Sequence, residues 1–158
     1  MPELVLPLAA LRRVELPVSA VDRTPSRSNA TASSPLSRWG STVAAARDAC
    51  LVLDAGGRVV SVSPACAELF GQSVDALIGR DLLDAVALVD FETGEAAPEY
   101  AARIPPLLVL TVVTLGRSLL RLERPAGRVT LDIISAPLRG NDGQVVGSIS
   151  FLAEISPG

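Results

Sequence analysis

The chain has 158 residues, room for one ordinary domain and a short extension. Apolar residues make up 49% of it and mean hydropathy is +0.41, yet aromatics are only 3%, so the core must be built from Leu, Val, Ile and Ala. Net charge is −3, every cation is an arginine, and both histidine and lysine are absent. That composition excludes Ser-His-Asp and Cys-His catalysis, His-ligated haem, a Walker loop and a lysine Schiff base. A basic nucleic-acid-binding surface is not expected either, although Arg117, Arg121, Arg124 and Arg128 cluster in sequence. Cys50 and Cys66 are too few for a structural zinc site without histidine and read as buried free thiols. No basic segment precedes the apolar start as in a signal peptide, and the longest apolar stretch, Pro105 to Leu115, falls far short of the about 20 residues of a membrane span. A cytoplasmic location is therefore expected.

In chain order, residues 1–21 are apolar but broken by Pro2, Pro7 and Pro17, and 22–36 have the Ser/Thr/Pro/Asn composition of a flexible linker; together 1–36 read as an extension. Residues 37–48 predict a short capping helix, with Trp39, Val43 and Ala46 on one face. From residue 49 to 156 the pattern is that of one α+β domain. ACLVLDA and RVVSVS form two strands around the turn Ala55–Gly57. Ser63 caps a helix with Pro64 at its first position, PACAELF, ending at Gly71. Ser73 and Asp75 open the short turn VDALI, and RDLLDAVAL predicts a further short helix. After an acidic loop (Asp90, Glu92, Glu95, Glu99), Pro105–Pro106 open a helix whose body, LLVLTVVTL, has the β-branched composition of a strand.

Three strands complete the domain. SLLRLER puts Leu120 and Leu122 on one face, and RVTLDIISAPL puts Val129, Leu131 and Ile133 together. Asn141–Asp142–Gly143 is the strongest hairpin signal, and QVVGSISFLAEI places Val145, Gly147, Ile149, Phe151 and Ala153 on one face, read as the inner one, with Val146 and Leu152 outward. Five antiparallel strands with short helices covering one face is the expected architecture.

The stretch from Gly57 to Leu83 resembles the opening of a PAS domain: a hairpin, then Ala65 to Gly71 in the place of "A-x-x-L-F-G", then Leu77 to Arg80 as "L-I-G-R". Gly127 to Ser156, with Ala136–Pro137–Leu138 and Gly143, is similar to the family's final strands. The resemblance implies a stand-alone bacterial sensory domain. Departures accompany it. Ser63 replaces the frequent Asn, Glu154–Ile155–Ser156 replaces the closing Asp-Ile-Thr, and Asp81–Leu82 stand where light-sensing relatives carry a reactive Cys. Because the chain ends shortly afterwards, output is expected through the N-terminal segment, the sheet surface or a separate signalling protein.

Family ligands bind between the long helix and the concave sheet. The resemblance therefore implies a lining of Leu108, Val112, Leu115, Leu120, Leu131, Ile133 and Ile149, which would suit a small apolar ligand or else close as core. No cofactor is expected, neither haem nor a flavin adduct, and no metal, since the acidic loop has no EF-hand spacing. Asp132 alternates with Leu131 and Ile133 and is read as outward and solvated. A homodimer is expected through Trp39, Val43, Ile134, Leu138, Val146 and Leu152, an apolar stripe that the domain's own helices would leave uncovered. The functional expectation is a sensory or protein-interaction module without chromophore and without enzymatic activity. The alternatives are an apolar-ligand binding protein, or a cup-shaped enzyme using carboxylates. No nucleic-acid or membrane partner is expected.

Overall fold

The computed structural model describes residues 34–91, 103–112 and 114–155. The expected linker and extension up to residue 33 and the acidic side chains Glu92, Glu95 and Glu99 lie outside the described residues. The elements run α1 (Pro35–Ala44), β1 (Cys50–Asp54), β2 (Val59–Val62), α2 (Pro64–Phe70), α3 (Val74–Leu77), α4 (Leu82–Ala85), β3 (Ala87–Asp90), α5 (Pro105–Val112), β4 (Gly116–Glu123), β5 (Val129–Arg139) and β6 (Val145–Ile155). The strands form one antiparallel sheet in the order β2-β1-β6-β5-β4-β3.

The sheet has six strands rather than the five expected. The extra one is β3, whose first two residues the sequence places at the end of a helix and whose last, Asp90, it places in the acidic loop. Only Leu82–Ala85 is helical; Ala87–Asp90 then extends and pairs with β4, seating Leu88 opposite Leu122 in the core. The opposite tension, in α5, resolves the other way. Its β-branched body is helical because Pro105 and Pro106 set the first turn and Ile104 and Val109 bury completely. The helix stops at Val112, leaving Leu115 outside it.

Local chemistry fixes the ends of the shorter elements. Ser63 Oγ accepts from the backbone N–H of Cys66 (3.2 Å) and of Cys50 (3.0 Å) and donates to the Asp48 carbonyl (2.7 Å), so one buried hydroxyl caps α2 and ties it to β1. Gly71 closes α2 in the left-handed region at φ 73. The same Ser-Pro arrangement opens α1, where Ser34 Oγ accepts from Ser37 N–H at 3.0 Å ahead of Pro35. The helix therefore starts at Pro35 and ends at Ala44, earlier at both ends than the expected 37–48.

Two apolar layers sandwich the sheet. The inner layer joins Leu51, Leu53, Val62, Phe70, Leu77, Leu82, Leu120, Leu122, Leu131, Ile133 and Leu152 beneath α2–α5. The outer layer joins Val43 of α1 to Cys50, Val52, Ile134, Leu138, Ile149 and Phe151, with Leu36 and Trp39 packed against it. This second layer corrects the reading of β6. Ile149 lies on the outer face under α1, while Leu152 belongs to the inner core, the reverse of expectation. Strands buried on both faces carry apolar residues on both, so alternation alone does not say which face is inner. Val146 is outward as expected because of a bulge: the partner of Leu138 is Gly147, but that of Arg139 is Val145, and the extra residue turns Val146 to the outer side. Gly147 is required there, since a Cβ would drive into the Leu53 carbonyl and lie 2.8 Å from Leu36 Cδ1 of α1.

Candidate functional site: the two faces of the sheet

The inner face carries a short polar strip among its aliphatic side chains. Ser135 and Ser150, opposite one another on β5 and β6, share a buried hydroxyl–hydroxyl bond of 2.6 Å. Ser148 Oγ donates to the Pro106 carbonyl at 2.8 Å, anchoring the start of α5 against the sheet. Small hydroxyls fit here because the α5 backbone approaches the strands closely; Leu or Ile at 148 would hold it away. Of the seven expected lining residues, only Leu120, Leu131 and Ile133 are brought together, all buried in the inner core. Leu108 is half-buried on α5, Val112 and Leu115 are each 52% exposed, and Ile149 lies on the other face. The expected lining therefore does not form one surface.

The outer face divides into a covered and an open part. Over β1, β2 and β6 lies α1, held by Val43, Trp39 and Leu36 and by a 2.6 Å bond from Ser61 Oγ to the Gly40 carbonyl. The stripe of Ile134, Leu138 and Val146 is thus covered within the molecule by Trp39 and Val43, which corrects the expectation that the domain's own helices leave it bare. Beyond α1 the face stays open. Leu119 (40% exposed) stands in a row with Asp132 and Ala153, and Ile155 (37%) in the next row with Thr130 and Arg121.

Asp132 is outward as expected but not solvated. It is 7% exposed, and Arg117 grips it with both ends of its carboxylate, Nε to Oδ1 at 3.0 Å and Nη2 to Oδ2 at 2.6 Å. The arginine cluster seen in sequence does not form a basic patch. Arg121 lies over the Phe91 ring at 4.8 Å, Arg128 pairs with Glu123, and Arg124 donates to the Leu69 carbonyl. Sequence reasoning missed Leu119 and Ile155 as surface positions and Leu36 as part of the cover. For Leu36 the signal was present in Ser34–Pro35, the same cap that marked α2.

The thiols are buried and unpaired, Cys50 in the outer layer and Cys66 in the inner one. Burial pushes the Cys50 thiol up to about 11, against the opposing hydrogen bond from Ser63, and burial raises Cys66 further. Neutral, enclosed thiols are poor nucleophiles and poor metal ligands. Among the described residues no group of three His, Cys, Asp or Glu side chains gathers to hold a metal, and no helix is long and apolar enough to cross a membrane.

Comparison with known proteins agrees with this architecture. Residues 38–95 match the family model described as the PAS fold. The PAS domain of a protein from Colwellia psychrerythraea is 16% identical, with TM-score 0.56, over 73% of this chain and 92% of that one. The light state of the blue-light photoreceptor Aureochrome1 LOV is 23% identical, with TM-score 0.55, over 70% of this chain and 84% of that one. The VqmA dimer of Vibrio cholerae, a LuxR-type receptor, is 22% identical, with TM-score 0.53, over 69% of this chain and 46% of that one. No curated protein matches. The family match covers the first hairpin and the short helices, and the solved structures share the architecture through the last strand, so residues 35–155 have a PAS-like fold.

Proposed function

We propose that this PAS domain is a sensory and protein-interaction module that works without chromophore, pairing with a second copy or with a separate signalling protein through the open part of its outer sheet face. One observation carries the reading: Leu119 and Ile155 stay exposed on the part of the outer face that α1 does not cover, flanked by the Arg117–Asp132 pair and Arg121. An apolar surface ringed by ordered charges has the make-up of a protein-contact patch. The Vibrio cholerae neighbour, described as a dimer, lends support at the level of the fold.

The same geometry supports a domain that is not an enzyme and carries neither haem nor flavin adduct. There is no histidine, both thiols are enclosed, and Asp81–Leu82 occupy the light-sensing position. An apolar ligand between α5 and the sheet is less well supported, since Leu120, Leu131 and Ile133 close on one another. The test is charge on the open face. Leu119→Asp and Ile155→Asp, both at exposed positions, should each lower the solution mass relative to wild type while leaving the thermal melt within a few degrees. An unchanged mass in both variants would remove this face from the account.

A further inference from the structure

A groove of about 350 Å³ opens where the end of α2 meets the α4–β3 connection and the turn after β4. It shares no lining residue with the serine strip or with the part of the outer face covered by α1. Phe70, Leu83, Val86 and Leu122 supply its apolar walls, Gln72 and Arg124 its neutral and cationic polar groups, and Asp84 and Glu123 two carboxylates, the latter paired with Arg128. The Gln72 amide is already used, donating to the Ala85 carbonyl at 2.5 Å. Arg124 is only half used. Its Nη1 donates to the Leu69 carbonyl at 2.5 Å, but its Nε–H is buried with no acceptor. A guanidinium keeps its charge at any physiological pH, and an unmet donor on a buried cation is costly to leave.

Arg117, at the far end of β4, shows what such an edge takes. Arg117 uses Nε and Nη2 together to grip both oxygens of the Asp132 carboxylate. No described carboxylate meets the Nε of Arg124: Glu123 is held by Arg128, and Asp84 is exposed. We propose that this groove binds a small monocarboxylate with an apolar body, its carboxylate on the Nε/Nη2 edge of Arg124 and its body against Phe70, Leu83, Val86 and Leu122. Because the Nε is enclosed, a carboxylate reaches it only when the atoms around it part, while the Leu69 carbonyl keeps hold of the other end of the guanidinium. A dicarboxylate would bring its second charge toward Glu123 and Asp84, so the site selects monoanions.

The inference goes beyond the interaction role of the sheet face, and its test reads a different part of the molecule. Nitrogen-15-labelled full chain is titrated with hexanoate, with hexanol, and with succinate. Hexanoate should shift the Arg124 Nε–H resonance and the backbone amides of Gly71, Gln72 and Ala87 saturably, with hexanol and succinate much weaker. Arg124→Lys, which keeps the charge and loses the two-pronged edge, should weaken hexanoate by about tenfold or more while the amide spectrum stays dispersed. If Arg124→Lys fails to fold, the wild-type contrast between hexanoate and hexanol decides alone. Equal shifts from acid and alcohol, an unmoved Arg124 Nε–H, or full hexanoate affinity in a folded Arg124→Lys protein would overturn it.

Discussion

At the scale of single residues, the buried hydroxyls locate the strand register more firmly than the aliphatic side chains do. Ser150 meets Ser135 on the inner face, so Ser150→Ala leaves a buried hydroxyl without its partner. That change should cost about 1–3 kcal/mol in urea melts, and the double change with Ser135→Ala should recover part of it. Had β6 run in the register expected from its apolar residues, Ser150 would face water and the substitution would cost almost nothing. Ile149→Ala is uninformative on this point, because Ile149 is buried on either reading. The thiols give a second prediction. Folding holds both cysteines neutral, with Cys50 pushed up to about 11 from an ordinary 9.0 and Cys66 also raised by burial. Above the unfolded value the unfolded chain sheds protons that the native state keeps, so stability falls as pH rises. The urea midpoint should be flat across neutral pH and decline from about pH 9 toward 11, with the decline shallower in a Cys50→Ala, Cys66→Ala protein. An equally steep decline without the cysteines would show that other groups cause it.

At the scale of elements, legibility in the sequence tracked how local the determining physics is. Caps and turns were readable: Ser63–Pro64, Gly71, Ser73 and Asn141–Gly143 lie where their chemistry requires, because each acts within a few residues. The sixth strand was not, since Ala87–Asp90 is extended only by pairing with β4, from Leu120 to Glu123 far along the chain. Nor was the assignment of faces on β6, which depends on α1 supplying a second apolar layer and on the bulge at Val146. Of the expected ligand lining, the strand residues Leu120, Leu131 and Ile133 came together, whereas Val112 and Leu115 did not, because α5 ends before it can bury them. The role of α1 is directly testable. Val43 is fully buried beneath it, so Val43→Ala should cost about 1–3 kcal/mol, against less than about 0.5 for the exposed Ser41→Ala. Equal, small effects of the two changes would mean that the helix does not rest on the sheet in solution.

At the scale of the whole molecule, composition and fold point the same way. The chain has no histidine and both thiols are enclosed, and on the proposal of a domain without chromophore the purified protein should be colourless. A stoichiometric absorption band in the visible region would contradict that. The surface on which the proposed pairing rests is a curved sheet closed on its inner side by α2–α5, covered in part on its outer side by α1, and open at Leu119 and Ile155. Pairing through that opening is the central claim, and the mass of the full chain in solution tests it most directly. Light scattering at micromolar concentration should give twice the 16.4 kDa chain mass, falling toward the monomer on dilution. A single-chain mass across the whole micromolar range would contradict self-pairing through this face.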